Sequence, residues 1–377
     1  MPATSDVGAG HAREPSHVGA GHARDSSHVR AGQTREPSHV GAGHARDRRT
    51  RLRTPLLALL TLAACACHGA DPPADSLPVA ARGAYAAAFS ADGTHAVVAA
   101  LTQGASLWDL STRQRRFEWN HRKDTRSTIT AVAFSPEGNV AITVEGATLV
   151  LWDARKGEAL RYFSAPAEVQ AVALSRGGAL ALLGLQDGTA LLMDANAGGV
   201  KRRFAHDGEV LAVALDPTGR RALTGSADGN ARLWDTDAGT ALHRWNYGAP
   251  VEVVAISADA TRSFSAARNG KADMHDTDSG HVLGDVSPSA ARRARGAGYT
   301  AGAFTADGAS LLLGTVGGRV VLFDTTSSRL LENWKLPRDG STRAAGSRVI
   351  ALGAAGGNPL AASGDGVIHL LQRPSAR

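Results

Sequence analysis

From about residue 79 onward the chain alternates short apolar runs with polar turns at a fixed beat. The stretch "AVAFSPEGNVAITV" (131–144) shows the unit: two apolar runs flank a Pro-Glu-Gly turn. Runs of this length, bounded by Gly, Asp, Ser and Pro, predict strands joined in tight hairpins. A turn of the type "FSADG" begins at Phe89 and recurs at Phe134, Leu174, Leu215, Ile256 and Phe304, with a degraded copy, "LGAAG", at Leu352. A second landmark follows each one: Asp109, Asp153, Asp194, Asp235, Asp276 and Asp324, with Gln372 in the last copy. The interval between the two landmarks is 20 residues in six copies and 19 in the second. A constant interval holding two turns means three antiparallel strands, a, b and c, in one frame. Length varies only after the Asp, where an outer strand d and the link to the next unit must lie. The copies repeat every 44 residues or so, about the period of four-stranded propeller blades.

The unit ends "SLWDL" (106–110), "VLWDA" (150–154) and "RLWDT" (232–236), and the fullest copy reads "FAHDGEVLAVALDPTGRRALTGSADGNARLWD" (204–235). These residues resemble the WD-repeat family. The resemblance implies an all-β fold over 79–377: a seven-bladed β-propeller of WD-repeat type with four-stranded antiparallel blades. It also implies a structural tetrad at His206, Thr224, Asp228 and Trp234, whose side chains hydrogen-bond in series within a blade. Other copies depart from it. Blade five has Ser265 and Asn269 but His275 in place of the Trp; blades three and seven keep Asp187 and Asp365 without a matching His; blade six has Gly317 at the Asp position. The last copy ends at strand c, so the segment Asp75 to Gly83 is expected to supply the missing outer strand and close the ring, which leaves no free edge at the seam.

The first 78 residues follow another pattern. Residues 1–47 repeat every eleven residues, as in "REPSHVGAGHA", without an apolar face, and are read as disordered or untranslated; a start at Val40 would leave a leader of ordinary length. Six of the fourteen histidines lie here, but without cysteines or a framework to fix a metal site. Residues 48–64 combine a basic start (Arg48, Arg49, Arg51, Arg53) with the apolar run Pro55 to Ala64, a secretory signal by its physics. The run ends Leu62-Ala63-Ala64-Cys65, which resembles the lipobox of bacterial lipoproteins. That resemblance implies cleavage before Cys65 and acylation of it, and Ala66 after the anchor favours the outer membrane. An ordinary cleavable signal with two incidental cysteines, Cys65 and Cys67, is the alternative. Residues 65–78 would form an acylated, Pro-rich tether.

Charge changes the picture only locally. The chain is +6, yet residues 1–64 hold nine arginines against five acids, so the rest is nearly balanced. General nucleic-acid binding is not expected. No catalytic motif stands out: the repeat region has no nucleophile elbow and no H-x-x-x-H pair, and its histidines are scattered. No catalytic residue, metal or cofactor is expected. Three inter-blade links are longer than the others, and all are basic: Arg122, Lys123 and Arg126; Arg292, Arg293 and Arg295; Arg338, Arg343 and Arg348. As d-to-a links they should open on one face. The expectation is a monomeric, non-catalytic scaffold, lipid-anchored in the bacterial envelope, with an acidic partner, either a protein segment or the anionic sugar-phosphate of the envelope. An accessory propeller of outer-membrane protein assembly and a quinoprotein-like enzyme are the alternatives.

Overall fold

The computed structural model describes residues 70–289, 292, 297–337 and 347–373. The chain divides into residues 1–65 and 66–377, and all described residues belong to the second unit. Segments 1–47 and 48–64, with Cys65, Arg293, Arg295, Arg338 and Arg343, lie outside the described residues.

Seven four-stranded antiparallel sheets make up the described chain. Six use four consecutive strands: residues 84–119, 131–164, 169–205, 210–246, 251–285 and 299–335 form blades one to six. Their innermost strands touch in order around a ring, and that of blade seven, Val349–Ala355, meets that of blade one, Ala84–Phe89. The fold is a seven-bladed β-propeller.

The turn aspartates explain the fixed beat. Asp109 Oδ1 accepts from the N–H groups of Ser111 and Thr112, both at 3.0 Å. Asp153, Asp194, Asp235 and Asp324 repeat the pattern two and three residues on, and Asp276 bonds Ser279. Each carboxylate closes the turn from strand c to strand d. The core consists of seven apolar clusters, one in each wedge between neighbouring blades. Strands b and c are covered on both faces by the adjoining blades. They therefore read as unbroken apolar runs, such as "HAVVAA" (His95–Ala100), not as alternations.

Closure uses the N-terminal segment. Asp75–Pro78 pairs antiparallel with Val367–Leu370, in the register Asp75↔Leu370 to Pro78↔Val367, as the outer strand of blade seven. The seam is locked by side chains as well: Ser76 Oγ bonds His369 Nδ1 at 2.9 Å, and Arg113 of blade one pairs with Asp75. The ring thus begins inside the stretch expected to be tether. Upstream, Asp71 pairs with the edge of blade six.

Blade seven departs from the expected frame. Its first strand runs through Leu352 to Ala355, and Ala355 pairs with Asn358. The turn is therefore Gly356–Gly357, with φ of 54° and 84°. A two-residue hairpin with both φ positive needs glycine at each place, and it shifts the turn past the position assigned from the sequence.

Candidate functional site

The tetrad residues of blade four come together. His206 Nε2 lies 2.7 Å from Thr224 Oγ1, which accepts from Trp234 Nε1 at 2.9 Å; His206 Nδ1 is 3.4 Å from Asp228 Oδ2. Asp228 is held in turn by Arg232 Nη2 at 3.0 Å and by the Asn230 N–H at 2.9 Å. Burial, with the nearby Arg232 charge, pushes His206 down to about 4, so the imidazole is neutral at pH 7. The network ties the link entering the blade to strands b and c.

Two further networks are present; that of blade two was not expected from the sequence, and that of blade five was expected in part, from Ser265, Asn269 and His275 without Tyr247. In blade two, His121 Nε2 lies 2.9 Å from Thr143 Oγ1, which also accepts from Trp152 Nε1 at 2.8 Å, and Glu145 approaches His121 Nδ1 at 3.8 Å. Blade four's is therefore not the sole network of this kind: Glu145 stands where blade four has Asp228. In blade five, Tyr247 occupies the His position. Its hydroxyl bonds Ser265 Oγ at 2.7 Å and His275 Nε2 at 3.3 Å, and Asn269 Nδ2 donates to the Tyr247 carbonyl at 3.0 Å. The sequence signal was present in both cases, two residues after Trp119 and Trp245.

Residues 199–235 match the family model described as WD domain, G-beta repeat. Those residues are the outer strand of blade three and strands a to c of blade four, within a seven-bladed propeller. No curated protein matches the chain.

A Ser, a His and an Asp also meet in blade seven of the propeller. Ser363 Oγ bonds His369 Nε2 at 3.0 Å and donates to Asp365 Oδ1. The order of contacts differs from a nucleophilic relay: Asp365 holds the serine, not the imidazole, and the second imidazole nitrogen is taken by Ser76. All three are buried in the seam. They bind the closing strand and offer no approach to a substrate. The central channel, about 430 Å³ and walled by the seven innermost strands, has Glu252 as its one charged lining residue, and Arg268 Nε neutralises it at 2.7 Å. Among the described residues, no group of three or more His, Cys, Asp or Glu side chains is arranged to hold a metal ion.

The three long links do run from strand d to the next strand a: 120–130, 286–298 and 336–348. In antiparallel blades these links and the b–c turns share one face of the ring. Arg122, Lys123, Arg126, Arg292 and Arg348 are exposed there. The first link is compact: Ser127 Oγ accepts from the His121 N–H, Asn120 Oδ1 accepts from the Ser127 N–H, and His121 is buried under three exposed cations. The same face also carries Glu145, Glu168, Asp187, Asp207 and Glu209, in blades two to four. The face is therefore bipolar. Its basic arc spans the links flanking blades six, seven and one, and its acidic arc, in blades two to four, adjoins it at Glu145, whose carboxylate accepts from the Thr128 N–H of the first basic link at 2.8 Å.

Proposed function

We propose that the propeller is a non-catalytic interaction scaffold, held in a bacterial envelope by acylation of Cys65, whose link face docks an acidic protein partner on its basic arc. The observation that carries this reading is the clustering of exposed Arg122, Lys123, Arg126, Arg292 and Arg348 on one face of a closed, otherwise nearly neutral ring. Clustered charge of one sign speeds the encounter with an opposite charge and fixes its orientation. The neutral, buried imidazoles and the plugged seam point to structural use of the polar groups a catalyst would need. Outer-membrane placement follows from the Cys65-Ala66 pair and agrees with a scaffold that gathers partners at a surface.

The test is capture in place. Wild-type protein and a variant with Arg122, Lys123 and Arg126 all changed to Ala are expressed in a bacterial host, cross-linked in the envelope and purified. Loss of the same cross-linked bands from the variant, at unchanged unfolding temperature, supports the reading. Identical bands in both would remove the basic arc as the docking surface.

A further inference from the structure

The inter-blade wedges are not equally filled. In each blade one residue of strand d, set opposite the second residue of strand c, fills the wedge toward the next blade. It is Trp119 opposite Ala105, Phe163 opposite Leu149, Phe204 opposite Ala190, Trp245 opposite Ala231 and Trp334 opposite Val320. Three of these rings lie on an aromatic ring of the following blade: Trp119 on Trp152 with centroids 5.1 Å apart, Phe204 on Trp234 at 4.8 Å, and Trp245 on His275 at 4.0 Å. Blade seven has Leu77 at this place, opposite Ile368.

Blade five interrupts the series of rings. Its strand d is the short Val282–Asp285, and the next residue, Val286, takes the equivalent place, its N–H donating to the Ala272 carbonyl at 2.9 Å. Tyr299 of blade six supplies a ring to this wedge instead, its hydroxyl donating to the Val286 carbonyl at 2.7 Å, and Phe323, which sits where Trp234 sits in blade four, is only partly buried. A cavity of about 530 Å³ opens beside it. Tyr299, Val321, Phe323 and Leu330 give the cavity an apolar wall. Arg292, Arg319 and Lys335 also line it, and among the described residues no carboxylate does. Arg319 is oriented by its Nη1 bond to Asn333 Oδ1 at 2.7 Å, and Lys335 Nζ reaches the Gly317 carbonyl.

We propose that this cleft between blades five and six binds a small anionic amphiphile. An acyl chain would lie along the wall of Tyr299, Val321, Phe323 and Leu330, and a carboxylate or phosphate would meet Arg292 and Arg319. The volume lies within the usual range for small-ligand sites, and the mixture of apolar wall with a few charged groups of one sign is what such a ligand needs. Burying the chain supplies affinity in proportion to its area; the cations select the anion. A free fatty acid and an acyl-phosphate lipid share this chemistry. The inference does not depend on the reading of Cys65.

The test uses the full chain carrying Cys65→Ser, so that no attached acyl group competes and no detergent is needed. Calorimetric titration with decanoate, dihexanoyl-phosphatidylglycerol, decanol and inorganic phosphate separates the possibilities. One equivalent of decanoate, of the phospholipid or of both is expected to bind, with decanol about tenfold weaker and phosphate not saturating. Decanoate alone assigns a free fatty acid; the phospholipid assigns a membrane lipid. Arg319→Gln removes a lining cation and should weaken binding of both anions about tenfold or more. Should that variant fail to fold, Leu330→Glu, on an exposed residue, should give the same loss at unchanged unfolding temperature. Decanol binding as tightly as decanoate, no binding of either anion, or undiminished binding by Leu330→Glu would overturn the proposal.

Discussion

The carbonyl of Asp71 accepts a hydrogen bond of 2.8 Å from the N–H of Lys335, on the outer edge of blade six. The N–H of Asp71 donates in turn to the Asn333 carbonyl at 3.0 Å. Only residues 66–70 separate this pairing from Cys65. At full extension the chain from Cys65 to Asp71 covers about 20 Å. The tether is short, so an acyl group on Cys65 would hold the ring close to the bilayer. Labelled palmitate should be incorporated in a bacterial host, lost in Cys65→Ser and retained in Cys67→Ser. Labelling that survives Cys65→Ser would show that the lipobox reading is wrong.

Trp234→Ala should cost about 3–5 kcal/mol. The indole is buried against Phe204 of blade three, and its N–H satisfies Thr224 Oγ1. Trp152→Ala should cost a similar amount, because it removes one of the two side-chain partners of Thr143 and the ring stacked on Trp119. Denaturant unfolding of both variants checks this. A loss at Trp234 but none at Trp152 would mean that the blade-two network adds nothing to stability.

Stability should depend on pH through imidazoles held neutral. Burial pushes His206 down to about 4 and His275 to about 3, and it lowers His121 and His369 as well. In the unfolded chain each returns to about 6.5. Below that value the unfolded state binds protons that the fold excludes. Stability is therefore complete above about pH 6.5 and falls as the pH drops toward 4, by up to about 1.4 kcal/mol per unit for each such group. The turn carboxylates act in a separate, lower window: Asp109 is lowered to about 2, chiefly by the Ser111 hydroxyl, so its contribution fades only below pH 4. Unfolding midpoints at pH 8, 6 and 5 should fall in that order, and less steeply in the His206→Asn, His275→Asn double variant. A midpoint unchanged from pH 7 to 5 would show that these rings accept protons in the fold.

The blade count was legible because the turn aspartates must sit at fixed places: Asp109 and its counterparts close a turn whose geometry does not vary. The closing strand was legible from the missing fourth strand of the last copy. His121 and Tyr247 were not, since they follow strand d, and link length there varies, so no constant offset from a landmark points to them. Tyr247 also changes residue type while keeping the contact to Ser265. The turn of blade seven was misplaced because Gly356–Gly357 makes a shorter hairpin than the five-residue pattern of the other copies. The exchange of a strand-d ring for Val286 depends on the register of strand d against strand c, which no landmark marks. The acidic arc does not stand out in the sequence, because its residues are scattered singly over short links and b–c turns.

The bipolar face makes a sharper prediction than a basic one. An acidic partner docked on the basic arc should be repelled by Glu168, Asp187 and Glu209 if it reaches across the ring, and indifferent to them if it stays on the arc. Changing Arg122, Lys123 and Arg126 to Ala should weaken capture and reduce its salt dependence, because fewer charges are engaged. Changing Arg292, Arg293 and Arg295 should act in the same direction. Neutralising Glu168, Asp187 and Glu209 should then strengthen capture or leave it alone. The opposite face supplies the control: Glu137 and Arg176 pair with each other at 3.0 Å in neighbouring a–b turns, so replacing both removes no net charge and should leave capture intact. If neutralising the acidic arc abolishes capture while the arginine variants retain it, the partner is cationic and docks on blades two to four.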